Sequence, residues 1–141
     1  MKPSTHLLVS FILALVFYPM FGWKAVFILA GGILIDLDHY LWCIFRHKNL
    51  SLLDCYKYFI DGFDKERVKK NIGILLVFHT IEFLLIVGII SFFSQTALLF
   101  AVGILSHYLL DLIWLYSVPK QLIANHSIIL WLIQNTSKKF K

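Results

Sequence analysis

The chain has 141 residues, of which 60% are hydrophobic and 15% charged, and its mean hydropathy is +0.80. Soluble domains carry roughly 45–50% apolar and about 25% charged residues, so this composition argues against a soluble globular protein and excludes a disordered chain. The net charge of +5 would suggest nucleic acid in a soluble protein. Here the basic residues cluster beside apolar stretches, so we expect no nucleic-acid partner.

Four apolar stretches follow one another along the chain, and each has about the length of a membrane span. About 20 helical residues cross a hydrocarbon core about 30 Å thick. The sequence therefore predicts one all-α domain, 1–141, which is a polytopic membrane protein with four transmembrane helices. The predicted spans cover about 5–21, 24–45, 71–93 and 95–116.

The polar segments beside the spans predict the orientation. Of the 13 Lys and Arg residues, all but Lys24 lie before the first span, in the loop 46–70 or in the tail 117–141. Because Lys and Arg are enriched in cytoplasmic loops, both termini are predicted to lie on the cytoplasmic side of an inner (cell) membrane. Within the tail, 122–133 is apolar but too short to span, which predicts a short C-terminal helix at the interface or over the bundle.

Seven His, Asp and Glu side chains lie well inside the predicted spans, away from the span ends where His6 and Lys24 lie, and they are the candidate functional residues. A charged Asp, Lys or Arg costs roughly 2.5–3.5 kcal/mol at the centre of a span, so such residues point to a function. Imidazole nitrogens and carboxylate oxygens are ordinary ligands of zinc, manganese and iron, and no Lys or Arg lies deep in a span to neutralise the carboxylates. The seven are Asp36, Asp38, His39, His79, Glu82, His107 and Asp111.

Depth and spacing predict that these residues form one group. At a rise of 1.5 Å per residue they lie about 9–15 Å below the cytoplasmic boundary, with Glu82 slightly deeper. Asp38 lies away from Asp36 around the helix, so it either orients a histidine ring or marks a local break in the helix. Three pairs share a helix face: Asp36 with His39, His79 with Glu82, and His107 with Asp111.

Several other residues are expected to have structural roles. Gly31, Gly32 and Gly103 permit a close approach of helices. Cys43 and Cys55 form no CxxC motif and no disulfide framework, so we expect free thiols. Three histidines near boundaries or in loops are expected to be solvated or interfacial: His6, His47 and His126.

The intramembrane polar residues also fit two simpler roles. Such residues can form hydrogen bonds between helices, although Ser, Thr, Asn and Gln are the usual residue types in that role. They can also line a path for protons or ions. A path must reach both faces of the membrane, whereas the outer halves of the predicted spans hold almost no polar residues.

Two runs of sequence resemble the YdjM-like (LexA-regulated) family of small inner-membrane proteins. The run Gly31–His39, GGILIDLDH, is similar to the family's glycine-containing helix that ends in D-x-D-H. The run Gly103–Asp111, GILSHYLLD, is similar to its later G-x-x-S-H-x-x-x-D run. The middle motif departs from the pattern, because Phe78–Phe83 reads FHTIEF where the family has H-R-x-x-T-H-S. The resemblance implies a divergent member of a family described as metal-dependent hydrolases.

The residues and the resemblance together predict a membrane-embedded metal-dependent hydrolase. The expected cofactor is one or two divalent ions, zinc first and manganese or iron as alternatives, which supply hydroxide from water at neutral pH. The expected substrate is a membrane lipid with a phosphoester reached from the cytoplasmic leaflet, because basic residues just before the third span attract anionic head groups. The predicted ligands are Asp36, His39, His79, His107 and Asp111, and the predicted general base is Glu82 or Asp38.

Three other functions remain open from the sequence. A metal-dependent lipid oxidase or desaturase would also use His and carboxylates, although the HxxxH and HxxHH clusters usual in membrane desaturases are missing. A small transporter or ion-binding channel subunit would need polar residues at both faces. A non-enzymatic partner subunit would use the same residues for assembly and not for turnover.

Overall fold

The computed structural model describes residues 2–60, 75–117 and 127–139, and the regular secondary structure within these ranges is helical. Short 3-10 turns occur at Gly22–Ala25 and Val77–His79. The predicted all-α class is therefore confirmed over the described residues. We number the helices in chain order: α1 Pro3–Phe21, α2 Val26–Leu34, α3 Leu37–His47, α4 Leu52–Ile60, α5 Ile81–Ser91, α6 Gln95–Ser117 and α7 Ile128–Lys139.

Two helical stretches among the described residues are long and apolar enough to cross a membrane, Pro3–His47 and Gln95–Trp114. Within the most apolar 18 residues of each stretch, only 11% and 28% are buried, so most of this apolar surface faces outward. α5 is apolar too, but its 11 residues extend only about 17 Å. The first residues of the third predicted span, 71–74, lie outside the described residues, as do residues 122–126 of the predicted tail helix, whereas its residues 128–133 form the start of α7.

The chain divides into two compact units, which we describe separately. The first consists of Met1–Leu37 and Leu84–Pro119, and the second of Asp38–Phe83 and Lys120–Lys141. The first unit contains α1, α2 and α6. Its most deeply buried apolar side chains include Ile28, Leu99 and Ile104.

In the first unit, the chain folds back on itself between α1 and α2. Gly22 ends α1 with a φ of 57°, a left-handed conformation that glycine adopts without steric cost. The following 3-10 turn leads into α2, which packs against α1, and α6 packs against both helices. α1 and α2 run antiparallel, because Ser10 near the start of α1 meets Gly32 near the end of α2.

α2 and α6 approach each other closely through glycines. A Cβ atom on Gly31 would collide with the backbone oxygen of Phe100, and one on Gly103 would collide with that of Ile28. The close helix approach predicted for these glycines is therefore confirmed. It matters for the site because Gly103 lies one turn before His107 on α6.

In the second unit, a disulfide between Cys43 and Cys55 joins α3 to α4. The two cysteines are 12 residues apart in sequence, and their Cα atoms lie 5.8 Å apart. The expectation of two free thiols is therefore wrong. No local motif indicates this pair, because it is the reversal of the chain between two helices that brings the cysteines together.

α4 begins at a capped turn that supports this reversal. Ser51 precedes the helix, and its Oγ accepts a hydrogen bond of 3.3 Å from the backbone N–H of Asp54. The side-chain amide of Asn49 donates to the Asp54 carboxylate at 3.1 Å. This hydrogen bond from Asn49, followed by one between the Ser51 side chain and the carboxyl itself, holds the pKa of the exposed Asp54 carboxyl below its usual value.

Alkylation tests the disulfide directly. The denatured full-length protein is expected to take up no maleimide before reduction and two labels afterwards, because Cys43 and Cys55 are its 2 cysteines and they are bonded to each other. The Cys43→Ser variant is the control, since it should carry one label without any reduction. Two labels on unreduced wild-type protein would show that the cysteines are free.

Candidate metal sites

The first unit holds a fully buried histidine, His107, between a backbone carbonyl and two carboxylates. Its Nδ1 lies 2.9 Å from the carbonyl oxygen of Gly32. Its Nε2 lies 3.2 Å from Oδ2 of Asp111, one turn later on α6, and 3.5 Å from Oδ1 of Asp36. The Asp36 and Asp111 side chains are 28% and 30% exposed, so both carboxylates are partly accessible from outside.

The hydrogen bond to Gly32 determines how His107 faces the carboxylates. A carbonyl oxygen only accepts hydrogen bonds, so Nδ1 carries a proton and donates it. In the neutral ring Nε2 then has a lone pair, which is repelled by carboxylate oxygens unless a proton or a metal ion lies between them. Histidines that bind metal ions commonly donate the proton of the other ring nitrogen to a backbone carbonyl in this way.

The distance from His107 Nε2 to each carboxylate, taken separately, suits a pair of ligands on one ion. With bonds of about 2.0–2.1 Å, two ligands of a tetrahedral zinc ion lie roughly 3.3 Å apart. The observed separations from Nε2, 3.2 Å to Asp111 and 3.5 Å to Asp36, bracket that value. The i,i+4 spacing on α6 places His107 beside Asp111 as predicted, and the turn after α2 supplies Asp36.

A second histidine, His6 of α1, joins this group. It is 2% exposed, and its ring stacks on that of His107 with centroids 3.7 Å apart and planes 14° apart. Its Nε2 lies 3.2 Å from Oδ1 of Asp111. Ligand atoms of the three residues all lie within 4.8 Å of one another, close enough to hold a metal ion. The expectation of a solvated or interfacial His6 is wrong, because the α1–α2 hairpin carries it into the interior of the unit.

The second unit holds a different group, centred on Asp38, which is 5% exposed. Its carboxylate lies 3.0 Å from Nδ1 of His39 and 3.0 Å from Nδ1 of His79, and it accepts the backbone N–H of Phe78 at 2.9 Å. Because a carboxylate accepts hydrogen bonds, each ring donates through Nδ1 and keeps the lone pair on Nε2. One carboxylate thus orients two histidine rings, which lie edge to face with centroids 4.7 Å apart.

Two interruptions of the helices place these side chains. α2 and α3 are separated by a turn at 35–36, in which the N–H of Asp36 donates to the carbonyl of Ile33 at 3.2 Å. Both alternatives considered for Asp38 therefore apply, since the helix is broken there and the carboxylate contacts histidine rings. His79 ends a 3-10 turn before α5 begins, so the predicted sharing of one helix face with Glu82 is not seen.

Glu82 caps a helix, a role different from that of the predicted general base. Its carboxylate accepts hydrogen bonds from the Ser127 hydroxyl at 2.6 Å and from the N–H groups of Ile128 and Ile129 at 3.1 and 3.3 Å. The first N–H groups of a helix have no partner within it, and the helix dipole favours a negative charge there. Sequence reasoning could not find this role, because Ser127 is 45 residues away.

The structure distributes the predicted site residues over the two units. The helix-spacing rule located one pair on α6, but it could not reveal contacts made across turns or between α1 and α6. His6 had one available signal, a polar residue one turn later at Ser10, in a stretch that is otherwise apolar from Leu7 to Phe17. The first unit brings together Asp36, His107 and Asp111, and the second brings together Asp38, His39 and His79.

Comparison of the chain with protein-family models, with curated proteins and with solved structures finds no match. The resemblance to the YdjM-like family therefore rests on the sequence runs alone. What the structure adds is two groups of buried His and Asp side chains, each with ligand atoms close enough to hold a metal ion.

Proposed function

We propose that this protein is a membrane-embedded, metal-dependent hydrolase whose metal ion is held in the first unit beside His107. The observation that supports this proposal is the position of the ring. Nδ1 is bound to Gly32 at 2.9 Å, and Nε2 faces two carboxylates at 3.2 and 3.5 Å. A divalent cation suits this arrangement, because the lone pair and the carboxylate oxygens all attract positive charge.

The chemistry proposed for this site is hydrolysis. A bound divalent ion lowers the pKa of a water molecule toward about 7 and so supplies hydroxide at neutral pH. His107 and Asp111 would hold the ion from one face of α6. Asp36 is 28% exposed and lies beside them, so it can accept a proton from the attacking water as the general base. The group around Asp38 in the second unit is the proposed place of a second ion.

The proposed substrate is a membrane lipid with a phosphoester. The residues of the site lie on the two helical stretches that are long and apolar enough to cross a membrane. Neighbouring side chains on these helices are apolar and exposed, for example Leu8 at 57% and Leu109 at 53%. An amphipathic molecule suits such a setting, since its chains match the apolar surface while its head group reaches the polar residues.

The proposed topology has four spans, with both termini and the loop 46–70 on the cytoplasmic side, as the distribution of Lys and Arg indicates. Thiols on that side of the membrane are kept reduced in the cell. With this topology, Cys43 and Cys55 would be reduced in living cells, whereas the structure joins them in a disulfide, so the state of this pair in cells tests the orientation. If the maleimide assay on acid-quenched cells finds the disulfide already formed, the loop lies on the opposite side.

Metal content tests the proposed site. The protein purified without chelators is expected to carry zinc, manganese or iron, and His107→Ala is expected to bind the ion about 100-fold or more weakly because a ligand is lost. His47→Ala is the matched control, since His47 is an exposed histidine at the end of α3. Equal metal retention by the two variants, or a metal-free wild-type protein with its helices intact, would contradict the site.

Turnover tests the proposed reaction separately. Metal-loaded protein in vesicles that contain phosphatidic acid, phosphatidylglycerol or a lipid pyrophosphate is expected to release phosphate or a phosphorylated head group. Chelation and His107→Ala should both abolish the release, whereas His47→Ala should not. Metal-loaded wild-type protein that cleaves none of these lipids would exclude the proposed substrate class.

A metal-dependent lipid oxidase or desaturase is the second candidate function. One observation favours it: His6, His107 and Asp111 form a group of two histidines and one carboxylate, which is also the ligand set of non-haem iron oxygenases. The identity of the metal separates the two functions. Purified protein that holds iron and consumes oxygen with a lipid would support the oxidase, whereas zinc would support the hydrolase.

A further inference from the structure

α1 turns two polar side chains inward, although most of its surface is apolar and exposed. His6 and Ser10 are 2% and 1% exposed, whereas Leu7 and Leu8 between them are 49% and 57% exposed. Removing a polar group from water is costly unless it finds a specific partner. The burial of His6 therefore indicates an interaction that compensates for this cost.

The partner of His6 is the carboxylate of Asp111, which it shares with His107. Nε2 of His6 lies 3.2 Å from Oδ1, and Nε2 of His107 lies 3.2 Å from Oδ2. Nδ1 of His107 already carries a proton, which it donates to Gly32. A second proton on Nε2 would make the His107 ring a cation, so both Nε2 atoms can carry protons only in that charged state. A single metal ion that replaces these two protons would bind both nitrogens once one ring rotates out of the parallel stack, because the lone pair of each nitrogen lies in the plane of its own ring.

We propose that His6 is a ligand of the same ion as His107 and Asp111, so that α1 is part of the metal site. This inference rests on the proposed function, because it concerns the ion held beside His107. The ligand atoms of the three residues lie within 4.8 Å of one another. Three protein ligands are also the usual number in catalytic zinc sites, which keep one position open for water or substrate.

The packing of α1 on α2 holds the two histidines in place. Ser10, one turn after His6, contacts Gly32, and the carbonyl oxygen of Gly32 accepts the hydrogen bond from His107. A side chain at position 32 would collide with Ser10. One helix contact therefore fixes the backbone at His6 and the orientation of the His107 ring, so the side chain that rotates to reach the ion is that of His6.

Two substitutions of His6 in the full chain separate a ligand from a buried hydrogen-bond donor. His6→Gln keeps a side-chain N–H that can donate to Asp111, but an amide is a poor ligand. His6→Cys cannot replace that hydrogen bond well, but a thiolate is a strong ligand for cobalt and zinc. The probe is Co²⁺ alone, added to metal-free protein and followed by its absorption spectrum and its affinity.

A ligand role predicts that His6→Gln remains helical but binds Co²⁺ at least about tenfold more weakly, and that His6→Cys shows a new thiolate-to-cobalt charge-transfer band. Wild-type affinity in His6→Gln, or no such band in His6→Cys, would overturn the inference. If His6→Gln does not fold, the spectrum of His6→Cys decides. Loss of Co²⁺ binding in His107→Ala but not in His6→Gln would refute only the role of His6 and would leave the metal site at His107 standing. No binding by the wild-type protein would refute the proposed function as well.

Discussion

Replacement of Gly103 by alanine is expected to lower the stability of the first unit by about 3 kcal/mol or more, or to prevent its folding. The added Cβ would collide with the backbone oxygen of Ile28, and a backbone atom cannot move aside as a flexible side chain can. α2 and α6 would have to separate, and α6 carries His107 one turn later. Thermal denaturation in detergent, followed by circular dichroism, measures the loss.

Gly88→Ala is the matched control for this prediction. Gly88 also lies within an apolar helix, α5, but a Cβ there would meet nothing within 4 Å. Its replacement should leave stability unchanged or raise it by up to about 1 kcal/mol, because alanine favours the helix more than glycine does. Equal melting temperatures for Gly103→Ala and Gly88→Ala would show that α2 and α6 do not pack through glycine.

The same variant links metal binding to the contact between α2 and α6. Gly103→Ala should lose affinity for the metal ion in any fraction that still folds, because the contact of α2 with α6 brings Gly32 to His107. Gly88→Ala should bind the ion like the wild-type protein. The metal site and the glycine contact thus belong to one structural feature of the first unit.

Rules that act within one helix predicted part of the fold and of the site. The i,i+4 spacing of His107 and Asp111 placed both side chains beside one another, at 3.2 Å between Nε2 and Oδ2. The glycines at 31 and 103 predicted a close helix contact, because a missing side chain has the same steric consequence wherever helices meet. Composition sufficed for the helical class and for the apolar stretches.

Features that depend on distant parts of the chain could not be predicted in the same way. His6 is buried because α1 folds back on α2, and its sequence neighbours give only a weak sign of that. Cys43 pairs with Cys55 through a reversal between two helices. Glu82 caps α7 from 45 residues away, so a charge that cost energy in a predicted span has a partner in the folded chain.

Asp38→Ala is expected to destabilise the second unit by about 3 kcal/mol or more. The substitution removes the acceptor for the His39 and His79 rings and for the backbone N–H of Phe78, each within 3.0 Å. A buried donor that loses its acceptor costs about 1–3 kcal/mol. Denaturation of the full chain, monitored by the accessibility of the Cys43–Cys55 disulfide to reductant, reports on this unit specifically.

Asp38→Asn shows whether the Asp38 carboxylate orients the rings or binds an ion itself, and Asp54→Ala is the control. Asn keeps one acceptor oxygen and should lose less stability than Ala, while Asp54 is exposed and its removal should cost no more than about 1 kcal/mol. If Asp38 only orients His39 and His79, a chelator should leave the difference between wild type and Asp38→Asn unchanged. If Asp38 binds the ion, the chelator should destabilise the wild type and leave Asp38→Asn unaffected, because a ligand that binds only the folded state raises its stability.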